Sequence, residues 1–225
     1  MVQYSPRLNL ETLFVLDESH RIVSTREPGA TVGPLLCLIR SETQCAWACH
    51  ASVPEHLEAR LNRLAAEEPP ALDFRAPPLH ADLYAELLGG RVESGPAYLF
   101  PESVPQAKDA VAVADLSVLE RHFHGWRPGE LAERSPVMAI MDREHAVSVC
   151  FCARKSDDAA EAGVETANGY RARGLASRVT AAWAAAIRAS GRTPIYSTSW
   201  TNTSSQAVAR RLGLLICAGR WSVNA

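Results

Sequence analysis

The chain predicts an α/β fold, a mixed sheet with helices on both faces, and three observations carry that expectation. From residue 110 onward the order reads strand, helix, three-strand meander, loop, helix, strand, helix, strand, a mixture that needs helices packed over a sheet. The run from Leu175 to Gly191 places Leu175, Val179, Ala182, Trp183, Ala186 and Ile187 on one helical stripe before a glycine stop. The 225 residues are 47% hydrophobic, enough to bury one large core or two modest ones.

Taken from the start, residues 1–105 read as a small α+β N-terminal lobe of unknown role. Leu13-Phe14-Val15-Leu16 reads as a strand, Asp17-Glu18-Ser19-His20 as a turn, and Arg21-Ile22-Val23-Ser24 as a second strand. Leu35 to Ile39 is a third apolar run. Beyond Pro54, Leu57, Leu61 and Leu64 mark a helix that Pro69-Pro70 stops. Tyr84, Leu87 and Leu88 mark a shorter helix ended by Gly89-Gly90. Residues 91–109 hold Pro96, Pro101 and Pro105 and read as a connection.

The second part, 106–225, opens with the strand Ala110 to Val113. Asp115 is placed to cap a helix carrying Leu116, Leu119 and Phe123. Pro136 to Met141, Ala146 to Cys152 and Ala160 to Thr166 form the meander, turning at Asp142 to His145 and at Lys155 to Asp158. The strand Pro194 to Trp200 follows the long helix. Asn202 then caps a last helix in which Val208 and Leu212 pack inward and Gly213 closes the end.

Composition narrows the function classes. The net charge is −2 with 21% charged residues, and no basic stripe for a nucleic-acid backbone is visible. No apolar run reaches the length of a membrane span, and the N-terminus Met1-Val2-Gln3-Tyr4-Ser5 has no leader pattern, so the expected setting is cytoplasmic. The six cysteines lack the spacing of a disulfide framework and read as reduced, buried thiols. Cys45-x-x-x-Cys49-His50 lacks the second ligand pair of a zinc site, so no metal is expected. His122-x-His124 with Trp126 reads as a helix end, with contact to a substrate as the alternative.

The chemistry concentrates in Arg171-Ala172-Arg173-Gly174-Leu175-Ala176, between a strand and the long helix. The first N–H groups of a helix have no intrahelical partner and sit at the positive end of its dipole, which suits a diphosphate. Gly174 lets the backbone approach an anion closely, and Arg171 and Arg173 add positive charge. The Lys-Ser/Thr ending of a phosphate-binding loop and the G-x-G-x-x-G order of a dinucleotide fold are both absent.

This loop and the later strand, Asn202 and helix ending in Leu212-Gly213-Leu214 together resemble the GNAT N-acetyltransferase superfamily. The first segment is similar to its R/Q-x-x-G-x-G/A acyl-CoA motif. Asn202 with Ser205 resembles its N-x-x-S branch, here with an extra N-terminal lobe. The resemblance covers about residues 110–225 and is specific in 161–214. It implies the GNAT fold, acetyl-CoA as co-substrate, and an acetyl transfer to a primary amine by direct attack in a ternary complex. It implies cofactor contacts from Thr166, Arg171, Ala172, Arg173, Gly174, Leu175, Ala176, Ser177, Asn202 and Ser205. The pantetheine arm is expected between the strand ending at Thr166 and the strand Ile195 to Trp200.

Glu161 and Glu165 lie four apart on the first of these strands and share a face, so either is placed to take the amine proton. The tyrosine that the superfamily offers to the leaving thiolate is replaced by Ala209, and Ser205, one turn earlier, is the remaining donor on that face. Only Leu214 to Ala225 follow Gly213, room for one closing strand, so the N-terminal lobe is expected to complete the sheet or cover the acceptor side. Expected partners are a small-molecule or peptide amine acceptor and a second copy of the chain in a homodimer, with neither nucleic acid nor membrane. The loss of the tyrosine keeps a second reading open, a non-catalytic acyl-CoA-binding regulatory module.

Overall fold

The computed structural model describes residues 4–29, 31–105 and 107–225. Met1, Val2 and Gln3 of the N-terminal segment, and Gln106 at the opening of the second part, lie outside the described residues. Helix α1 (Pro6–Leu13) leads into the hairpin β1 (Phe14–Leu16) and β2 (Ile22–Thr25). A second hairpin, β3 (Leu36–Arg40) and β4 (Cys45–Cys49), precedes helices α2 (Glu55–Ala66) and α3 (Ala81–Leu88) and the long strand β5 (Arg91–Leu99). Then come β6 (Ala110–Ala112), the one-turn helix α4 (Glu130–Glu133), β7 (Met138–Asp142), β8 (His145–Lys155) and β9 (Ala159–Thr166). The chain ends in α5 (Leu175–Ala189), β10 (Thr193–Ser197), α6 (Thr203–Arg211) and β11 (Leu215–Asn224).

All strands but β1 and β2 join one nine-stranded sheet in the order β4-β3-β11-β5-β10-β9-β8-β7-β6. Only β9 and β10 run parallel; every other neighbouring pair is antiparallel. Residues on either side of position 105 thus share one sheet, with β5 inserted between β10 and β11.

The pleat sorts the side chains onto two faces. Ala160 and Ala162 of β9, Cys150 and Cys152 of β8, Tyr196 of β10 and Tyr98 of β5 pack against Val179, Trp183 and Ile187 of α5 and Ala209 of α6. On the same face further along, Leu36, Leu38, Trp221 and Val223 pack against Leu61 of α2 and Tyr84 of α3. The opposite face carries Cys37, Ile39, Ala97 and Ala218 under Leu10 and Leu13 of α1. There too, Val149 and Phe151 pack beneath Leu119 and Phe123 of the 113–135 segment. Helices therefore cover both faces.

Several expectations are corrected. Residues 91–99 are a strand, not a connection. Pro96 is tolerated in mid-sheet because its carbonyl accepts Thr198 N–H on the β10 side. In an antiparallel strand a residue's N and C=O point to the same neighbour, so the missing donor faces the region beyond the last regular pair, Ser197 with Ala97. Asp115 caps only a single 3-10 turn, Leu116–Val118, not an α-helix. Gly125 and Pro128 follow closely, and Leu119 and Phe123 reach the sheet from turns. Residues 45–49 form strand β4, and α1 precedes the first strand, its N-terminus capped by Ser5, which accepts Leu8 N–H at 3.1 Å.

Gly95 marks a close approach: a Cβ there would lie 1.8 Å from the Thr198 carbonyl oxygen. Gly95→Ala is expected to push the 198–199 segment off the sheet and cost about 1–3 kcal/mol. Urea denaturation measures this, and an unchanged midpoint would show the segment to be loosely held.

Candidate active site

The parallel pair β9 and β10 is registered only over Thr193 with Ala159, Pro194 with Ala160 and Ile195 with Glu161. Beyond Glu161, β9 runs on to Thr166 paired with β8 alone. The edge of residues 162–166 that faces β10 therefore carries backbone groups with no strand partner. Burial falls along the same stretch, from Ala159–Ala162, all buried, to the exposed side chain of Glu165. A wedge opens between the two strands.

At the mouth of the wedge, residues 167–174 lead into α5. Ala172 (φ 62°) and Gly174 (φ 76°) are both left-handed. Only glycine adopts that region freely, so Ala172 carries a local strain of about 1 kcal/mol. The two reversals turn the chain so that α5 begins at Leu175 with no side-chain cap on its first N–H groups. Ser177 is buried and turns its hydroxyl back onto the Gly174 carbonyl at 2.9 Å, so it does not cap them. Arg171 braces the loop by donating to the Thr166 carbonyl at 3.2 Å, and Arg173 lies 5.2 Å from the Tyr170 ring centroid. The Thr166 hydroxyl bonds Ser148 at 2.8 Å.

A third cation joins these two. A Cβ on Gly174 would lie 2.5 Å from a guanidinium nitrogen of Arg211, so the end of α6 reaches across the loop. Sequence reasoning missed Arg211: it lies about forty residues downstream, and its only signal was a basic pair closing the last helix.

On the opposite wall, Asn202 caps α6 by accepting Ser205 N–H at 3.0 Å, which occupies its side-chain oxygen. Ser205 is half-buried and lies one turn from Ala209, which is fully buried. The phenol of Tyr196 donates to the Ser205 carbonyl at 3.3 Å, and burial pushes it up to about 12, with the Ser205 side chain opposing. Tyr196 thus lies behind Ser205.

The two carboxylates share a face but not an environment. Glu161 is buried, and both its oxygens are engaged, one by Ser197 and the other by Arg154, which also pairs with Glu27. Burial pulls the Arg154 guanidinium down, Glu161 and Glu27 pull it up, and the net direction is up. Glu165 makes no such bonds; desolvation raises its carboxyl above the ordinary range, with Arg134 opposing. Arg134 itself lies 5.5 Å from the Trp126 ring and 5.0 Å from that of Phe151. His122 packs edge-on against Tyr170 at 5.8 Å, and Leu119, Phe123, His124 and Trp126 line a cavity of about 160 Å³ on that side. Among the described residues no three His, Cys, Asp or Glu side chains cluster as a metal site would require, and no helix is long and apolar enough to cross a membrane.

Residues 121–216 match the family model described as GNAT acetyltransferase. No curated protein is a significant match to the chain. Among solved structures, a GNAT-family acetyltransferase from Colwellia psychrerythraea superposes with a TM-score of 0.50 at 12% identity, over 80% of this chain and 76% of that one. A GNAT-family protein from Novosphingobium aromaticivorans gives 0.48 at 20% identity over 59% of this chain, which spans only 64% of it. A tandem GNAT protein from the clavulanic acid biosynthesis pathway gives 0.48 at 11% identity, over 79% and 73% of the two chains. The fold is the GNAT fold.

For a polyanion seated on the 171–177 loop, Arg211→Ala is expected to weaken binding about tenfold through loss of one charge-assisted contact. Titration calorimetry with coenzyme A measures it. An unchanged affinity would place Arg211 outside the site.

Proposed function

We propose that this chain is an acyl-CoA-dependent N-acyltransferase that moves an acetyl group from acetyl-CoA to a primary amine by direct attack in a ternary complex. The observation that carries this reading is the wedge between β9 and β10 ending on a left-handed loop whose helix N-terminus no side chain caps. Such a site accepts an extended arm along a free strand edge and a diphosphate at its end.

Acetyl-CoA supplies the activated acyl group. The N–H groups of Leu175, Ala176 and Ser177, with Arg171, Arg173 and Arg211 around them, hold its diphosphate. The free backbone edge of β9 orients the thioester, and one of its N–H groups meets the oxygen on which negative charge develops. Holding amine and thioester together supplies much of the rate.

Glu165 takes the proton from the attacking amine, directly or through water. Glu161, both oxygens engaged, holds the strands in place. Ser205 donates towards the departing sulfur, and Asn202 fixes the helix end that presents it. Ala209 offers no acid, so the thiolate leaves with a hydroxyl partner at most.

Incubation with acetyl-CoA and an amine panel is expected to release free thiol only when an acceptor is present. Tight binding without acceptor-dependent release would indicate the regulatory module instead. Glu165→Gln is expected to lower kcat/KM for the acceptor by about a hundredfold while leaving coenzyme A affinity unchanged. The sign of the pH dependence follows from the raised carboxyl. A base works only when deprotonated, so the rate falls on acidification through a pKa above the ordinary glutamate value. A pH–rate profile should lose that acidic limb in Glu165→Gln; a limb that persists removes Glu165 from the mechanism.

A further inference from the structure

Resting on the acyltransferase reading, we infer that the amine acceptor carries a carboxylate and that Arg220 is the residue that receives it. Arg220 is half-buried on β11, paired with Gly95 of β5 and Ile39 of β3. Its parity on β11 matches that of Ala218, and it lies opposite Ile39, so it projects onto the face covered by α1. Glu161 and Ser197 occupy the same face: Ser197 pairs with Ala97 of β5, and Glu161 pairs with Ile195. Ala97 and Ile195 each lie beneath α1 residues.

Two arginines therefore serve this face, Arg154 reaching Glu161 from β8 and Arg220 projecting from β11. Their situations differ. Arg154 is neutralised by Glu161 and Glu27. Arg220 has no ion pair or hydrogen-bond partner among the described residues, and its Nε is buried without one. A half-buried cation with a desolvated, unpaired nitrogen is costly unless an anion completes it. The 198–199 segment, which leads from β10 towards α6, crosses directly over Gly95, the cross-strand neighbour of Arg220. Arg220 thus lies on the β10 side of the wedge, across β5 and the 198–199 segment from the wall that carries Glu165.

This arrangement fits a bifunctional acceptor. Its amine lies towards Glu165 and the thioester, and its carboxylate bonds the Arg220 guanidinium, whose planar donors suit two-oxygen recognition. A polyamine would meet an unpaired positive charge here and be disfavoured.

Calorimetry on the coenzyme A-loaded protein tests this, with alanine, β-alanine and glutamate set against alaninamide and 1,4-diaminobutane. At least one amino carboxylate is expected to bind about tenfold or more tightly than its uncharged or cationic counterpart. Arg220→Gln should abolish that preference while leaving coenzyme A affinity unchanged, and Arg220→Lys should restore part of it. Equal binding of carboxylate and amide, or a preference that survives in Arg220→Gln, overturns the inference. If coenzyme A itself gives no heat with the wild-type protein, the acyltransferase reading falls. The same carboxylate series on the coenzyme-free protein then decides Arg220 separately. A thermal melt of each variant confirms that it is folded.

Discussion

The point at which β9 and β10 cease to pair, at Glu161 and Ile195, is the constraint on which the site depends. Below it the two strands are ordinary parallel neighbours over a core of Ala159, Ala160 and Ile195. Above it β9 has a free edge, and the chain it feeds turns through Ala172 and Gly174 into α5. Had the pairing continued, the free N–H and C=O groups of residues 162–166 would be spent on the sheet, leaving nothing for an extended ligand to bond.

A buried polar cluster holds this branch point. Arg154 on β8 bonds Glu161 on β9, Glu161 bonds Ser197 on β10, and Glu27 from the loop after β2 closes the other side of Arg154. Three adjacent strands are tied together where the sheet would otherwise be free to close or to open further. Buried ion pairs contribute little net stability, because desolvation offsets their attraction. Their value lies in geometry, since each group has one satisfying arrangement and a shifted strand would orphan a charge. The same face carries Arg220, a cation without such a partner among the described residues.

Strand β5 adds a second dependency. It lies between β10 and β11, and Tyr98 on it packs edge-on against Tyr196 at 6.1 Å. Tyr196 in turn bonds the Ser205 carbonyl. The N-terminal part of the chain thus supports the wall of the wedge opposite the 171–177 loop, even though the proposed site residues lie mostly after 160.

The local order along the chain was legible without coordinates. Helix α5 followed from its apolar stripe, the α6 cap from Asn202, the β7–β8–β9 meander from its turns, and the loop at Arg171 to Ala176 from a glycine before a helix. These are properties of neighbouring residues, encoded at spacings of a few positions. Tertiary structure alone decided the rest. Pro96 concealed β5, because whether a proline is tolerated in a strand depends on where its neighbour strand ends. Glu161 and Glu165 looked equivalent at a spacing of four, and only the arrival of Arg154, Ser197 and Glu27 from elsewhere in the chain separated them. Arg211 and Arg220 had no motif at all. Their significance rests on which groups the sheet brings beside them and, for Arg220, on which it does not, because a charge in a half-buried place is defined by its neighbours in space rather than by those in sequence.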